Sequence, residues 1–196
     1  VNFDFIYDKR NQKFQTTSGF RSFYSIDVPI VSEKNTLKNY YNYSHYFDLY
    51  ENNVSSVSIY LQSANSINNK DIKLSERINI PSSKLRGFES GRVGPKDGDD
   101  YIGGNYGYAL NFSSTIPQIF EESQNVDFLF FVDAANLWGV DYDSSLDDSG
   151  SIRSSTGIAL DWFSPIGPLS FSLAYPITKE SGDKEESFRF NLGTSF

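Results

Sequence analysis

"GIALDWFSPIGPLSFSLAYP", residues 157–176, sets large apolar and small side chains on alternate positions through two runs, with a proline- and glycine-containing turn between them. Ile158, Leu160 and Trp162 share one face of an extended chain, opposite Gly157, Ala159 and Asp161. Leu169, Phe171, Leu173 and Tyr175 repeat the arrangement opposite Ser170, Ser172 and Ala174. A period of two residues on both sides of "SPIGP" (residues 164–168) predicts a β-hairpin. The second face decides the class. A soluble sheet buries its apolar side and shows charges outside, whereas this polar side is mostly Ser, Gly and Ala, as suits the crowded or water-filled interior of a barrel whose apolar side meets lipid.

Outward from the hairpin the same alternation recurs, and helical patterning is almost absent. The pattern predicts strands over residues 2–7, 20–30, 37–48, 54–64, 106–115, 126–138, 154–163, 169–175 and 187–196. Several run to about ten residues, the length a tilted strand needs to cross a bilayer. In the last, "SFRFNLGTSF", Phe188, Phe190, Leu192, Thr194 and Phe196 fall on one face and Arg189, Asn191, Gly193 and Ser195 on the other. Pro29 sits near a strand end, where a missing N–H costs least. The connections are tight at "ENN" (residues 51–53) and "SPIGP", and long over residues 77–104, 139–153 and 176–186. Tight turns at one end and long loops at the other describe an outer-membrane barrel.

Composition closes off other classes. The longest apolar run, residues 128–132, is far below the roughly 18 residues of a spanning helix. A net charge of −8 opposes nucleic-acid binding, which needs basic stripes. There is no cysteine, and the one histidine, His45, leaves neither a His-based metal site nor a Ser-His-Asp triad; it is expected on a barrel wall among tyrosines. The acidic stretches at residues 96–100 and 141–148 lack EF-hand spacing and are expected as solvated external loops. "GGNYGY" (residues 103–108) opens no helix and carries no lysine, so it is no phosphate cradle. Tyr40, Tyr41, Tyr43 and Tyr46 are expected as an interfacial girdle. No catalytic residue, metal or cofactor is expected. With no Met at position 1 and strand pattern from the first residues, the chain is expected to be a segment of a longer one.

The longest connection holds "KLRGFESGRVGP" (residues 84–95) and leads into "GGNYGYALNF" (residues 103–112). A loop of this length without regular structure is uncommon unless it is functional. Taken alone, Arg86 is a cation held by a turn beside an apolar residue, with glycines allowing close backbone packing. The motif Leu85, Arg86, Gly87, Phe88 resembles the (V/I)RGF motif of the BamA/surface-antigen family of outer-membrane assembly and translocation barrels. "VGP", "GG", "FVDAANLW" (residues 131–138), residues 157–176 and "FRFNLGTSF" follow in that family's order. The resemblance covers the chain well from Leu85 onward and the earlier strands by pattern.

That resemblance implies a bacterial outer-membrane barrel of 16 strands preceded by POTRA domains. Residues 1–196 would form one partial β-barrel domain, its C-terminal half, with the N-terminal barrel half and the POTRA domains lying outside it. It implies that the long loop folds into the lumen and that Arg86 pairs with Asp133. Where the family often has a second carboxylate, this chain has Asn111, a departure that leaves a two-acid clamp an open question. It implies further that the terminal strand, with Phe188, Phe190, Leu192, Gly193 and Phe196, closes weakly against the first strand, and that Gly193 lets it bend inward. Unpaired groups at such a seam would template incoming strands of unfolded outer-membrane clients, amid lipid and with accessory subunits bound through the missing domains. The alternatives are a secretion transporter or passive pore of the same fold, or a soluble β-sandwich binding module. A half barrel also has two open edges, so the chain is expected to self-associate through them or to close into a smaller ring.

Overall fold

A computed structural model describes residues 1–13, 15–30, 35–116, 125–146, 150–165 and 167–193. Nine strands form one antiparallel sheet, each hydrogen-bonded to the next in sequence: β1 (Asn2–Asp8), β2 (Gly19–Asp27), β3 (Thr36–Phe47), β4 (Ser55–Ser66), β5 (Tyr106–Thr115), β6 (Val126–Trp138), β7 (Arg153–Ser164), β8 (Gly167–Thr178) and β9 (Phe188–Leu192). All nine expected segments are strands, and their ends differ where backbone chemistry overrides alternation. β2 stops at Asp27, short of Pro29, which has no N–H for a ladder. β8 runs through Pro176, which the sequence pattern places in a loop. Its register partner is Ser155, beside the shift at Ser154/Ser155, and an irregular ladder tolerates a missing donor there. β9 ends at Leu192 because Gly193 turns into the left-handed region at φ 104°, with its N–H on Pro168 O at 2.8 Å. Phe196 and Thr194 lie outside the described residues.

The register separates two faces. One carries rows such as Phe128–Leu160–Phe171–Phe190 and Phe130–Ile158–Leu173–Phe188 across successive strands. No other part of the described chain covers this face: Ile158, Leu173 and Phe190 are 51%, 54% and 49% exposed. Such an apolar face suits lipid and leaves the sandwich alternative without its second sheet. Leu169 departs from the row, being buried between its register partners Trp162 and Leu192.

The opposite face is the inner wall, and the chain between β4 and β5 lies on it. Ile72, Ile78, Ile80, Leu85, Phe88 and Val93 of that loop form one buried cluster with Tyr60, Ala64, Ala109, Ala135 and Leu137 of the wall. The small wall residues are what admit the loop, because side chains at 64, 109 and 135 larger than Ala would occupy its space. Toward the long-loop end the interior is therefore a dry core rather than a wet cavity. The remainder, toward the tight-turn end, is hollow, about 510 Å³, and is lined by Ser56, Ser58, Asn111, Asp127, Asp161 and Ser170 among others.

Three expectations are corrected here. β1 and β9 are not paired with each other, so the smaller closed ring does not form. Closure would have to tighten the sheet around a loop that already fills its inner side. The four tyrosines do not make one girdle, since strand alternation splits them. Tyr40 packs inward on the loop core and Tyr46 lines the hollow, while Tyr41 and Tyr43 lie on the opposite face, where His45 stacks between Tyr43 and Phe47. Nor is the acidic stretch at residues 141–148 only a solvated loop. Asp141 accepts from the Ile72 amide at 2.6 Å and pairs with Arg77, whose side chain is 1% exposed.

Candidate functional site

Gly87 presses the loop's backbone onto the wall. It adopts φ 90°, and a Cβ there would stand 3.2 Å from Ser155 Cβ and 3.3 Å from Ala174 Cβ. That approach delivers Arg86 to β6 on one side of the glycine and Phe88, 1% exposed, to the apolar cluster on the other. Leu85, also buried, enters the same cluster.

Arg86 meets Asp133 through three donors. Its Nε and Nη2 each bond a different carboxylate oxygen at 2.7 Å, and its backbone N–H bonds Oδ2 at 3.1 Å. Asp133 is fully buried and the Arg86 side chain is 17% exposed. The guanidinium also lies 3.5 Å from the centre of the Phe131 ring, two residues along the same strand face. Phe131 needs room for this, and Gly157 opposite it supplies the room: a Cβ at 157 would come within 2.8 Å of Phe131 Cζ. Asn111 completes the arrangement. Its Nδ2 donates to Asp133 Oδ1 at 2.8 Å and to Lys84 O at 2.9 Å, so the amide bonds the carboxylate directly and ties loop and wall together. A second acid here would face Asp133 as a like charge, whereas the amide adds a fourth hydrogen bond to the buried carboxylate. Lys84 sits beside these groups, and burial pushes its ammonium pKa below the ordinary lysine value, with Asp133 opposing that shift and Arg86 adding to it.

The terminal strand is held on one edge by β8 over five register pairs, from Leu169↔Leu192 to Leu173↔Phe188, and no strand among the described residues pairs with its other edge. Phe188, Phe190 and Leu192 all stand on the apolar outer face, where Phe190 packs at a tilt on Phe171, 5.0 Å between ring centres. Across Gly193 the steric space is open, so its role is conformational.

Sequence reasoning missed the fastenings around this loop. Arg153, on β7, grips Asp183 with Nε and Nη2 at 2.9 and 3.1 Å, both side chains 2% exposed, and reaches Asn136 at 3.2 Å. Arg189, on the inner face of β9, donates to Ser82 O at 2.6 Å, to Phe88 O at 2.7 Å and to Glu186 at 2.8 Å. Buried glutamate Glu76 accepts from Thr36. The signal available beforehand was an arginine on the small-residue face of a strand, at 153 and again at 189, since such a charge needs a partner from elsewhere.

Among the described residues no cluster of three or more metal-binding side chains occurs. What the arrangement can do is mechanical: it holds a loop against a wall beside a strand with a free edge.

The Omp85 superfamily domain matches residues 1–196. An outer membrane protein assembly factor BamA from Neisseria meningitidis serogroup B is 32% identical over 57% of this chain and 17% of its own length. A SAM50-like protein from Schizosaccharomyces pombe is 29% identical over 72% of this chain and 31% of its own. The crystal structure of BamA from Haemophilus ducreyi lacking POTRA domains 1–3 superposes with a TM-score of 0.86 at 31% identity, covering 96% of this chain and 41% of that one. The chain thus spans less than a third of the length of these curated relatives, the first of which is named for outer membrane protein assembly.

Proposed function

Since the chain belongs to the Omp85 superfamily, we propose that it is the C-terminal half of a 16-stranded barrel that assembles β-barrel clients in the bacterial outer membrane. In this reading β9 is the last strand of the closed barrel and its free edge meets the first strand of the missing half. The observation that carries the proposal is the brevity of β9: five register pairs, ended by a glycine at positive φ, beside full-length neighbours such as β7 and β8. A seam of so few ladder bonds opens at low cost and presents unpaired N–H and C=O groups to an incoming strand, which adds by β-augmentation. The work is templating and needs no bond-making chemistry or cofactor. Arg86 and Asp133 keep the loop inside so that the wall next to the seam holds its curvature while β9 moves. Unfolded outer-membrane clients are the partners, in lipid, with accessory subunits docking on the domains that precede the barrel.

The test is a disulfide in the full-length protein between a cysteine at Leu192 and one on the first barrel strand. Locking the seam is expected to abolish client insertion and reduction to restore it. Insertion at the unlocked rate with the disulfide formed would refute the proposal.

A further inference from the structure

The connection between β8 and β9 is built into the luminal loop. Glu185–Glu186 pairs antiparallel with Gly87–Phe88, the Glu89 N–H bonds Lys184 O at 2.9 Å, and the Lys184 N–H bonds Arg92 O at 3.1 Å. Tyr101 donates to Gly182 O, and Asp183 is held by Arg153. The chain entering the terminal strand is therefore a strand of the loop's own small sheet. The next inward-facing side chain is Arg189, 10% exposed, with its donors on Ser82 O, Phe88 O and Glu186. Those two carbonyls flank the Leu85–Gly87 stretch that Asp133 holds from the other side.

From this geometry we propose that Arg189 is a positioning residue that latches the terminal strand to the tucked loop, so that β9 leaves its closed position only when the guanidinium releases the Ser82 and Phe88 carbonyls. The inference rests on the seam reading above and adds a second hold to it. The β8 ladder holds β9 by its edge, while Arg189 holds it by its inner face. A planar fork suits this task because one group reaches two carbonyls and a carboxylate at once; a lysine reaches at most part of that set. With the loop pinned at Asp133, the latch makes the loop a fixed anchor for the seam, and it gives the interior of the barrel a direct hold on the edge that clients approach.

The experiment uses the full-length protein in lipid, with one cysteine at Leu192 and one across the seam, and reads the yield of the seam crosslink in a fixed pulse of oxidant. Arg189→Ala is expected to lower the closed-to-open ratio about tenfold, as removal of a multi-bond charged contact would, and Arg189→Lys to fall between. Protease protection at Arg86 should stay at the unsubstituted level, since Asp133 is untouched. An unchanged crosslink yield in both variants overturns the latch, as does loss of loop protection with the seam yield intact, because Arg189 would then serve the loop alone. Where Arg189→Ala does not assemble, as judged by heat-resistant migration on a gel, Arg189→Lys and Glu186→Gln carry the comparison. Client insertion is not the readout. A locked seam that leaves insertion untouched removes the assembly proposal while the crosslink yields still decide the latch.

Discussion

Replacing Asp133 by alanine removes the carboxylate that Arg86 grips. In the protein it accepts four hydrogen bonds, three from Arg86 and one from Asn111, with no exposure of its own. Breaking a buried pair from one side costs about 3–5 kcal/mol, because the partner charge is left without compensation. Arg86 also lines the 510 Å³ hollow, so water reaches one side of the stranded guanidinium, and its stacking on Phe131 persists. Both effects place the cost near the lower figure, about 3 kcal/mol, which is on the order of a 150-fold fall in the ratio of docked to undocked loop. The assay is limited proteolysis of the full-length protein in lipid, with cleavage after Arg86 or Arg92 timed against the unsubstituted protein. A double-mutant cycle with Arg86→Ala isolates the pair: once Arg86 is gone, Asp133→Ala should add little beyond the orphaned Asn111 amide. Cleavage rates within about threefold of each other for Asp133→Ala and the unsubstituted protein would refute the reasoning, since they correspond to well under 1 kcal/mol.

Other consequences can be tested alongside. Gly157→Ala drives a Cβ to within 2.8 Å of Phe131 Cζ and 2.0 Å of Leu173 O, so it should cost about 1–3 kcal/mol of stability, seen as a lower temperature of gel-shift unfolding. Phe88→Ala empties a 1%-exposed site in the loop core and should cost about 3–5 kcal/mol by the same assay. Because Lys84 has a depressed pKa when docked, the docked state binds fewer protons than the undocked one between its lowered and its ordinary value. Docking should therefore strengthen as pH rises through that window, and Lys84→Met should abolish the trend in the proteolysis assay. The isolated chain, with β1 and β9 each carrying a free edge, should sediment in detergent as oligomers that grow with concentration, and a monomer at every concentration would count against edge pairing.

Much of this architecture was legible because a strand advertises itself by a period of two, and the hairpin at residues 157–176 does so without interruption. Its outward row of Ile158, Leu173 and Phe188 followed directly. Ends were less legible where proline acted through its ladder partner, as at Pro176 beside the Ser155 irregularity. The pairing of Arg86 with Asp133 came from resemblance; no local pattern links positions 47 apart in sequence. Asn111 looked like a missing acid and is instead a donor to the acid that is present. The apolar filling of the interior was hidden for a different reason. Ile72, Ile78 and Ile80 are scattered through a polar loop, and only the third dimension collects them against Ala64, Ala109 and Ala135. Arg153 and Arg189 were hidden likewise, because their partners lie in two loops whose paths no periodicity describes.

That filled interior bears on traffic. On this sheet's inner face, an ion entering from the long-loop end meets methyl groups and rings at Ile78, Leu85, Phe88 and Leu137 before it reaches the hollow. In the proposed barrel, that plug turns incoming strands toward the seam at β9 rather than down the axis.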